Sequence, residues 1–232
     1  MIEILYSDEF YYIVNKPSGI PVHLSKMTTD EVSLLCLLSE QTGEKLYPVH
    51  RLDRPTSGVI VFARSSAACG ALGKQFQEKT ISKKYNAVVR GWTDEEGEID
   101  YPIYKNPDIK RHKVDAVTTY KSLEKYTIPF SDGRFDTSRI SLVEVLPQTG
   151  RMHQIRRHFA HISHHLIGDT KYGKGLQNRL FRDEFNSNRL LLAAVELTFT
   201  HPYTDEELRI EAPLAEEFQQ IVDSLRTLSW NS

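Results

Sequence analysis

Residues 50–58 are His-Arg-Leu-Asp-Arg-Pro-Thr-Ser-Gly, and the apolar run Val-Ile-Val-Phe-Ala follows directly at 59–63. This pattern predicts a turn that leads into a buried strand, because proline, serine and glycine favour turns and short apolar runs are typical of sheet cores. Asp53 stands between Arg51 and Arg54. Nearby cations lower the pKa of a carboxyl group, so the stretch can hold an ionised nucleophile or base, or it can be an ordinary salt-bridged turn.

The rest of the chain mixes predicted strands and helices without a regular alternation. Strand-like segments lie at 11–14, 85–90, 139–145, 190–192 and 196–199. Helical periodicity is found at 31–42, from Ser65 or Ser66 to about Glu78, from His153 to His161, and after Pro213. The polar, basic segment 104–116 is predicted to be a long loop or a hairpin tip. This order favours an α+β fold with a largely antiparallel sheet over a doubly wound fold.

The composition is typical of a soluble globular protein. The chain has 232 residues, of which 40% are hydrophobic and 26% charged, and no apolar run approaches the ~20 residues that span a bilayer. The acidic N-terminus lacks the basic start and apolar core of a signal peptide. Cys36 and Cys69 form no Cys-x-x-Cys pair, which disfavours a disulfide framework or a zinc ribbon. We therefore expect a cytoplasmic protein.

The charged residues are distributed unevenly, although the net charge is only −2. Segments 50–90, 105–113 and 149–175 together hold 17 of the 29 lysines and arginines but only 4 of the 31 acidic residues. Such an asymmetry predicts a basic face that contacts nucleic-acid phosphates on an otherwise acidic body. The alternative is that the three segments are separate solvated surfaces that do not meet in the fold.

Residues 149–173 combine several histidines with three arginines. A metal site is disfavoured here, because the segment has no His-Glu-x-x-His pattern, no facial triad and no cysteine, and the arginines would repel a cation. Acid–base cleavage of RNA by a histidine pair is a further alternative, disfavoured because the arginines lower the pKa of neighbouring imidazoles. The roles that remain for the histidines are helix capping, packing in the core and contact with phosphates. Arg156 is the natural counter-ion of Asp53 if its helix faces the Asp53 turn, since a guanidinium pairs with a carboxylate through two hydrogen bonds.

Lys83-Lys84-Tyr85 begins a predicted strand. Tyr85 can stack on a nucleobase and keep its hydroxyl for a hydrogen bond, or it can be an ordinary core tyrosine. The chain has no Gly-x-Gly-x-x-Gly, phosphate-loop or Gly-x-Ser-x-Gly motif, so redox, ATP-driven and triad-hydrolase chemistry are disfavoured. Cofactor-free chemistry around a carboxylate, an arginine and a tyrosine remains.

Six motifs, in this order, resemble those of the RluA family of pseudouridine synthases. They lie at 15–19 (Asn-Lys-Pro-Ser-Gly), 50–58, 83–85, 150–158, 168–173 (Gly-Asp-Thr-Lys-Tyr-Gly) and 201–202 (His-Pro). The resemblance covers nearly the whole chain and implies the pseudouridine synthase fold, with a mixed, mostly antiparallel central sheet, flanking helices and an RNA-binding cleft. It implies a single catalytic domain over residues 1–232, with two lobes around the cleft and no N-terminal S4-like domain.

The resemblance also implies roles for individual residues. Asp53 would be the catalytic aspartate, Tyr85 would pack on the flipped base, and Arg156 would pair with Asp53. Arg51 would enter the RNA where the base leaves. The other residues expected to contact RNA are His50, Arg54, Lys84, Lys110, Arg111, Lys113, Arg151, His153, Gln154 and His158. The family's reaction needs no metal and no other cofactor, and we expect a monomer with tRNA as its partner.

Within the family, segments 54–58 and 89–92 and the compact length are most similar to members that modify tRNA. This similarity implies a uridine in the T stem as the target, at position 65. The alternatives are the same chemistry on ribosomal RNA, and a non-catalytic RNA-binding protein or tRNA chaperone. A glycoside-cleaving enzyme would need a second carboxylate, and the motifs offer only Asp169, which we interpret as structural.

Four residues depart from the family pattern. Met152 replaces a threonine or serine, Ser163 and His165 replace a glycine and a proline, and Ala193 stands where Leu-His-Ala is more common. None of them is one of the three predicted catalytic residues. They leave open the substrate preference carried by the loop after His158.

Overall fold

The computed structural model describes residues 1–24, 31–109, 111–131 and 133–229. As predicted, the fold is α+β, with a mixed, mostly antiparallel sheet and flanking helices. The chain divides into two compact units: the first comprises residues 1–83 and 193–215, and the second comprises residues 84–192 and 216–232. The single domain with two lobes around an RNA-binding cleft stays a prediction.

The first half of the chain forms β1 (Glu3–Ser7), β2 (Tyr11–Lys16), α1 (Leu34–Thr42), β3 (Tyr47–Pro48), β4 (Ser57–Ala63), α2 (Ser66–Glu78), β5 (Ser82–Arg90), β6 (Glu96–Asp100), β7 (Ile103–Tyr104) and β8 (Lys113–Val114). The second half forms β9 (Val117–Ile128), β10 (Ser138–Pro147), α3 (Gln154–His161), α4 (Gly175–Phe185), β11 (Leu192–Thr200), β12 (Glu207–Glu211) and α5 (Glu216–Leu228). Within the described ranges, none of the helices is both long and apolar enough to cross a membrane.

Strand β4 is the centre of the first unit's core, and all of its residues are buried. Strand β2 pairs with it antiparallel, while β11 pairs with it in parallel. Helix α2 packs Ala68 and Leu72 against Val59 and Val61 on one face of the strand. A strand that is covered on both faces has no polar side, which explains the continuous apolar run at 59–63.

Gly58 ends the 50–58 motif because a larger residue does not fit there. Its φ angle is +109°, a backbone conformation that residues other than glycine rarely adopt. A Cβ atom at this position would lie 1.9 Å from the carbonyl oxygen of Ala194 on the neighbouring strand β11. The glycine therefore lets β11 approach the end of the Asp53 turn.

In the second unit, β10 pairs antiparallel with β5 on one side and with β9 on the other. Helix α3 packs Ile155 and Phe159 into a core cluster that includes Val143 and Val145 of β10. One expectation was wrong in this part of the chain: residues 190–199 do not form two strands, since β11 is a single strand from Leu192 to Thr200. Helix α4 lies in a segment for which no element was predicted.

Candidate active site

A buried lysine stabilises the Asp53 turn through hydrogen bonds to the backbone. The Thr56 amide donates to the Asp53 carbonyl over 3.0 Å and closes the turn. Lys16 is fully buried at the end of β2, and its Nζ atom donates to the carbonyl oxygens of Pro17, Arg54 and Thr56 at 2.9, 3.0 and 2.8 Å. The ammonium group therefore holds backbone oxygens immediately after Asp53, a role that sequence reasoning did not assign to Lys16.

The rest of the 15–19 motif also binds this turn. Gly19 and Arg54 exchange two hydrogen bonds, from the Gly19 amide to the Arg54 carbonyl at 3.0 Å and from Arg54 Nε to the Gly19 carbonyl at 2.9 Å. Ser18 Oγ donates to the Pro55 carbonyl at 2.7 Å. Asp53 itself is half-buried and Arg51 is exposed. Hydrogen bonds thus join the two motifs around the predicted catalytic aspartate.

His50 has a packing position within the first unit. The Val61 amide donates to His50 Nε2 over 3.2 Å, and the imidazole stacks on Phe76 with ring centroids 4.6 Å apart. Burial, assisted by the charge of Lys83, lowers the pKa of His50 to about 3. The neutral ring supports β4, and the predicted contact of His50 with RNA stays a prediction.

Tyr85 lies on β5 in the second unit, opposite Val145 of β10. Its ring is partly buried and packs against the core cluster of that unit. The neighbouring Lys84 forms an ion pair with Glu144, in which the nitrogen and oxygen are 3.3 Å apart. The strand therefore fixes the tyrosine backbone and holds a cation next to it.

Arg156 is held by a carboxylate that follows it in the chain. Its Nε atom donates to Asp169 Oδ2 at 2.8 Å and its Nη2 atom to Asp169 Oδ1 at 2.9 Å, with side chains only 6% and 1% exposed. The ring of Tyr172 lies 5.2 Å from the guanidinium carbon. Burial acts to raise the pKa of Asp169, but hydrogen bonds from Arg156 and from the Tyr172 and Lys171 amides hold that pKa below its usual range. Asp53 belongs to the first unit and Arg156 to the second, so their pairing stays a prediction.

Gln154 connects the start of α3 to β9. Its Nε2 atom donates to the Val117 carbonyl and to Thr118 Oγ1, at 2.9 and 3.0 Å. Its Oε1 atom accepts from Thr149 Oγ1 at 2.6 Å and from the Arg151 amide at 3.0 Å. Gln154 is buried and engaged within the unit, whereas Arg151 is exposed, and the contact of each residue with RNA stays a prediction.

The histidines of this segment have separate local partners. The list is His153 Nδ1 with the Tyr172 hydroxyl at 2.9 Å, His158 Nε2 with the Tyr101 carbonyl at 3.1 Å, His161 stacked on Tyr101, His164 Nδ1 with the Arg90 carbonyl at 2.8 Å, and His165 Nδ1 with the Tyr172 carbonyl at 2.6 Å. The described residues contain no group of three or more potential metal ligands. His158 is fully buried and His153 is half-buried, and the contact of each residue with RNA stays a prediction.

Two of the three basic segments meet in the second unit. The hairpin of β7 and β8, described at 103–109 and 111–114, receives a hydrogen bond from Arg157 Nη1 to the Tyr104 carbonyl at 2.8 Å. At its tip, Asp108 pairs with Lys171 over 2.7 Å. Lys113 and Arg111 are exposed on the hairpin, and Lys110 lies outside the described residues. The hairpin and the segment after α3 therefore form one basic surface.

Comparison with known proteins agrees with this arrangement. The family model of RNA pseudouridylate synthases matches residues 10–161. The chain belongs to the RNA pseudouridylate synthase family. A protein of Vibrio parahaemolyticus named tRNA pseudouridine synthase C is 45% identical over 95% of this chain and 93% of its own length. The protein of the same name from Haemophilus influenzae is 40% identical over 96% of this chain and 97% of its own length.

Solved structures of this synthase family share the fold. Human RNA pseudouridylate synthase domain containing 4 superposes with a TM-score of 0.75 and is 27% identical, covering 97% of this chain and 93% of its own. Human RNA pseudouridylate synthase domain containing 1 superposes with a TM-score of 0.73 at 23% identity, covering 100% of this chain and 97% of its own. The resemblance inferred from the six motifs is thereby confirmed.

The structure shows the local environment of the four residues that depart from the synthase pattern. Ser163 has a φ angle of +64°, which accounts for a glycine being usual there. Met152 is 40% exposed before α3, and Ala193 is buried opposite Ser57 of β4. His165 donates from its Nδ1 atom to the Tyr172 carbonyl, a contact that a proline ring would not make.

Proposed function

We propose that this protein is a tRNA pseudouridine synthase that isomerises uridine 65 in the T stem to pseudouridine. The observation that carries the proposal is the Asp53 turn, whose backbone is held by a buried ammonium group and by the 15–19 motif. Relatives named tRNA pseudouridine synthase C, which match 95% and 96% of the chain, support tRNA as the substrate.

The reaction rearranges bonds without oxidation or reduction. The N1–C1′ glycosidic bond of uridine breaks, the uracil turns, and a new bond forms between C5 and C1′. C5 then loses its proton, and N1 gains one, so that substrate and product are isomers. Such a reaction needs no oxidant, and the proposal includes no cofactor.

Asp53 is the reacting group in this proposal. Its carboxylate either attacks C1′ or removes the proton from C2′, and both routes require the ionised form. Arg156 is the proposed counter-ion, because a cation beside a carboxylate lowers its pKa and stays charged when the bound RNA excludes water. Tyr85 packs on the flipped uracil and limits the directions in which it can turn.

The RNA must present its uridine outside the helix. Extruding a nucleotide costs a few kcal/mol. Contacts with the phosphates, and a side chain that fills the space left by the base, offset this cost. Arg51 is exposed beside Asp53 and is proposed to occupy that space. The exposed side chains of Arg111, Lys113 and Arg151 are proposed to bind the phosphates. We further propose that the protein acts in the cytoplasm as a monomer.

Mapping of pseudouridine in total RNA, from cells with and without this protein, tests the substrate. The proposal predicts that one tRNA site loses its pseudouridine, and that purified protein restores it on a transcript made without modification. A transcript with cytidine at position 65 is the matched control and should give no product. A loss confined to ribosomal RNA would contradict the tRNA assignment.

A further inference from the structure

The second unit contains a cavity of about 410 Å³ that is lined by none of the predicted site residues. Its walls come from the end of β5, the start of β10, the segment after α3 and helix α4, and they include Arg90, Arg139, His164 and Gln177. None of the lining residues that the structure describes is acidic. Sites for small organic ligands have volumes of about 300–1,000 Å³, so this cavity is large enough for such a ligand and has positively charged walls.

The side chain of Gln177 lacks hydrogen-bond partners at this wall. Gln177 is only 6% exposed, yet within the described ranges its amide group makes no hydrogen bond. A buried amide normally has partners for its oxygen and its two N–H groups, because leaving them unsatisfied destabilises the folded protein. A ligand in the cavity that carries both donors and acceptors would supply these partners.

His164 adds a second polar group whose orientation is fixed by the backbone. Its Nδ1 atom lies 2.8 Å from the Arg90 carbonyl oxygen, and Nδ1 carries the proton because a carbonyl only accepts. In the neutral ring Nε2 is then a hydrogen-bond acceptor. Gly91 leaves space for the ring, since a Cβ atom there would lie 3.2 Å from His164 Nδ1. The amide of Gln177 and the imidazole together offer donors and acceptors to one ligand.

Arg139 supplies a cation that is stacked on an aromatic ring. Its guanidinium carbon lies 4.3 Å from the centre of the Trp92 ring, and Trp92 Nε1 donates to the Tyr126 carbonyl at 2.9 Å. Among the residues that the structure describes, no carboxylate pairs with Arg139. A stacked guanidinium keeps the N–H donors at its edge for an anion such as phosphate. Phe135, which is 58% exposed, and Ile162 add apolar surface on which a planar ring can pack.

We propose that this cavity binds one unpaired nucleotide of the tRNA, with the base at Gln177 and His164 and the phosphate at Arg139. A glutamine amide recognises a base through one donor and one acceptor on the edge of the base. Proteins reach such edges in RNA mainly where the nucleotide is unpaired. The inference rests on the proposed function, because it takes tRNA as the RNA that brings the nucleotide.

The nucleotide bound here is not the reacting uridine. Tyr85, which is proposed to pack on the flipped uracil, and Arg90 at the cavity lie five residues apart on β5. Five residues of a strand span about 16 Å. The cavity therefore adds a contact that selects the RNA without taking part in the chemistry.

Gln177→Leu tests the contact with the base, since leucine has a similar size and no amide. Removing a buried polar group that lacks partners is not expected to lower the Tm, whereas a binding role requires a weaker complex. We expect the Kd for an unmodified tRNA transcript, measured by filter binding, to increase about tenfold. A lower Tm with an unchanged Kd would show that Gln177 is structural and would overturn the proposal. If Gln177→Leu does not fold, Gln177→Met replaces it.

Arg139→Gln tests the contact with the phosphate. We expect the Kd for tRNA to increase, and the slope of log affinity against log salt concentration to decrease by about one unit. The matched controls are Gln220→Leu on α5, where Gln220 donates to Glu216 at 3.0 Å, and Arg182→Gln on the exposed side of α4. Both lie in the same unit outside the cavity and should leave Kd and slope unchanged. Equal effects in the controls and in the cavity variants would overturn the proposal.

Chemical probing of the bases shows whether the nucleotide belongs to the tRNA. In the wild-type complex one unpaired base should be protected, and it should become reactive again with Gln177→Leu. An identical pattern with both proteins would overturn the proposal. Nucleoside 5′-monophosphates are the second probe: a mononucleotide that binds at Gln177 and is not displaced by saturating tRNA would make a free nucleotide the ligand and would also overturn it.

The same proteins show which proposal has failed. Asp53→Asn leaves the cavity intact and tests the proposed function. If folded Asp53→Asn reacts at the wild-type rate, the proposed function fails. If Asp53→Asn is inactive while Gln177→Leu binds tRNA as wild type does, only the nucleotide site fails.

Discussion

The Nζ atom of Lys16 lies 2.8 Å from the carbonyl oxygen of Thr56, across 40 residues of sequence. This contact places a fully buried ammonium group beneath the turn that carries Asp53. A buried charge is tolerated only when its hydrogen bonds are satisfied, and the carbonyls of Pro17 and Arg54 contribute to this. We infer that the lysine stabilises the conformation of the turn and, through it, the orientation of the Asp53 side chain.

Replacing Lys16 with methionine is expected to destabilise the protein and to slow the reaction. All three carbonyl oxygens would lose a donor, but only that of Thr56 belongs to a buried residue, and the Arg54 carbonyl keeps its hydrogen bond from the Gly19 amide. Leaving one buried acceptor unsatisfied costs about 1–3 kcal/mol, so we expect a loss of about 1–3 kcal/mol in the free energy of unfolding, measured with urea. Lys45→Met is the control, since Lys45 is exposed. Equal stability of the two variants would contradict the role of Lys16 in stabilising the turn.

Gly58→Ala is expected to abolish folding or to cost more than about 3 kcal/mol. The new Cβ atom would lie 1.9 Å from the Ala194 carbonyl oxygen, at a φ angle of +109°. Gly70→Ala is the matched control: Gly70 lies inside α2, and a Cβ atom there meets nothing within 4 Å. That variant should be more stable by about 0.5–1 kcal/mol. Thermal unfolding of both proteins checks the pair, and a stable Gly58→Ala protein would refute the close approach of β11.

Local sequence signals predicted the elements of the first unit well. Ser65 caps α2 by accepting from the Ala68 amide, and Gly43 ends α1 with a φ angle of +71°. These features depend on a few neighbouring residues, so a turn or cap residue is enough to identify them. The role of Lys16 depends on residues 38 and 40 positions away, and its burial cannot be inferred from the residue type.

The second unit was less predictable because polar side chains occupy its interior. On β9, Thr118 and Ser122 are buried, which weakens the alternation of apolar and polar residues that marks a strand. On α4, Gln177 is buried together with Phe181. Thr118 can be buried because its hydroxyl accepts a hydrogen bond from Gln154. That partner lies 36 residues away, so the contact is visible only in the folded chain.

His50 is expected to make the protein less stable as the pH falls below 6.5. Burial lowers its pKa in the folded state to about 3, whereas the unfolded chain takes up the proton near pH 6.5. The unfolded state therefore binds more protons between these values, and the free energy of unfolding falls by at most about 2 kcal/mol between pH 7 and pH 5. In His50→Gln this part of the pH dependence should be absent. Denaturant unfolding at both pH values checks it, and identical pH slopes would show that His50 does not contribute.

Arg111→Gln is expected to weaken tRNA binding without changing the stability. Arg111 is exposed on the hairpin of β7 and β8, and a phosphate contact contributes about one unit to the slope of log affinity against log salt concentration. We expect that slope to decrease by about one unit, measured by filter binding. Lys74→Gln, on the exposed side of α2 and paired with Glu78, should leave the slope unchanged. An equal change in both variants would argue against a specific role of the hairpin.

In the proposed mechanism the ionised Asp53 carboxylate carries out the isomerisation, and a single substitution removes its charge. Asp53→Asn keeps the size and the backbone contacts of the turn but removes the charge. The measurement is the release of tritium from C5 of labelled uridine in a tRNA transcript, because C5 loses its hydrogen when it bonds to C1′. We predict normal folding, tRNA binding within about twofold of wild type, and no tritium release. Release at the wild-type rate by folded Asp53→Asn protein would show that the Asp53 carboxylate is not the reacting group.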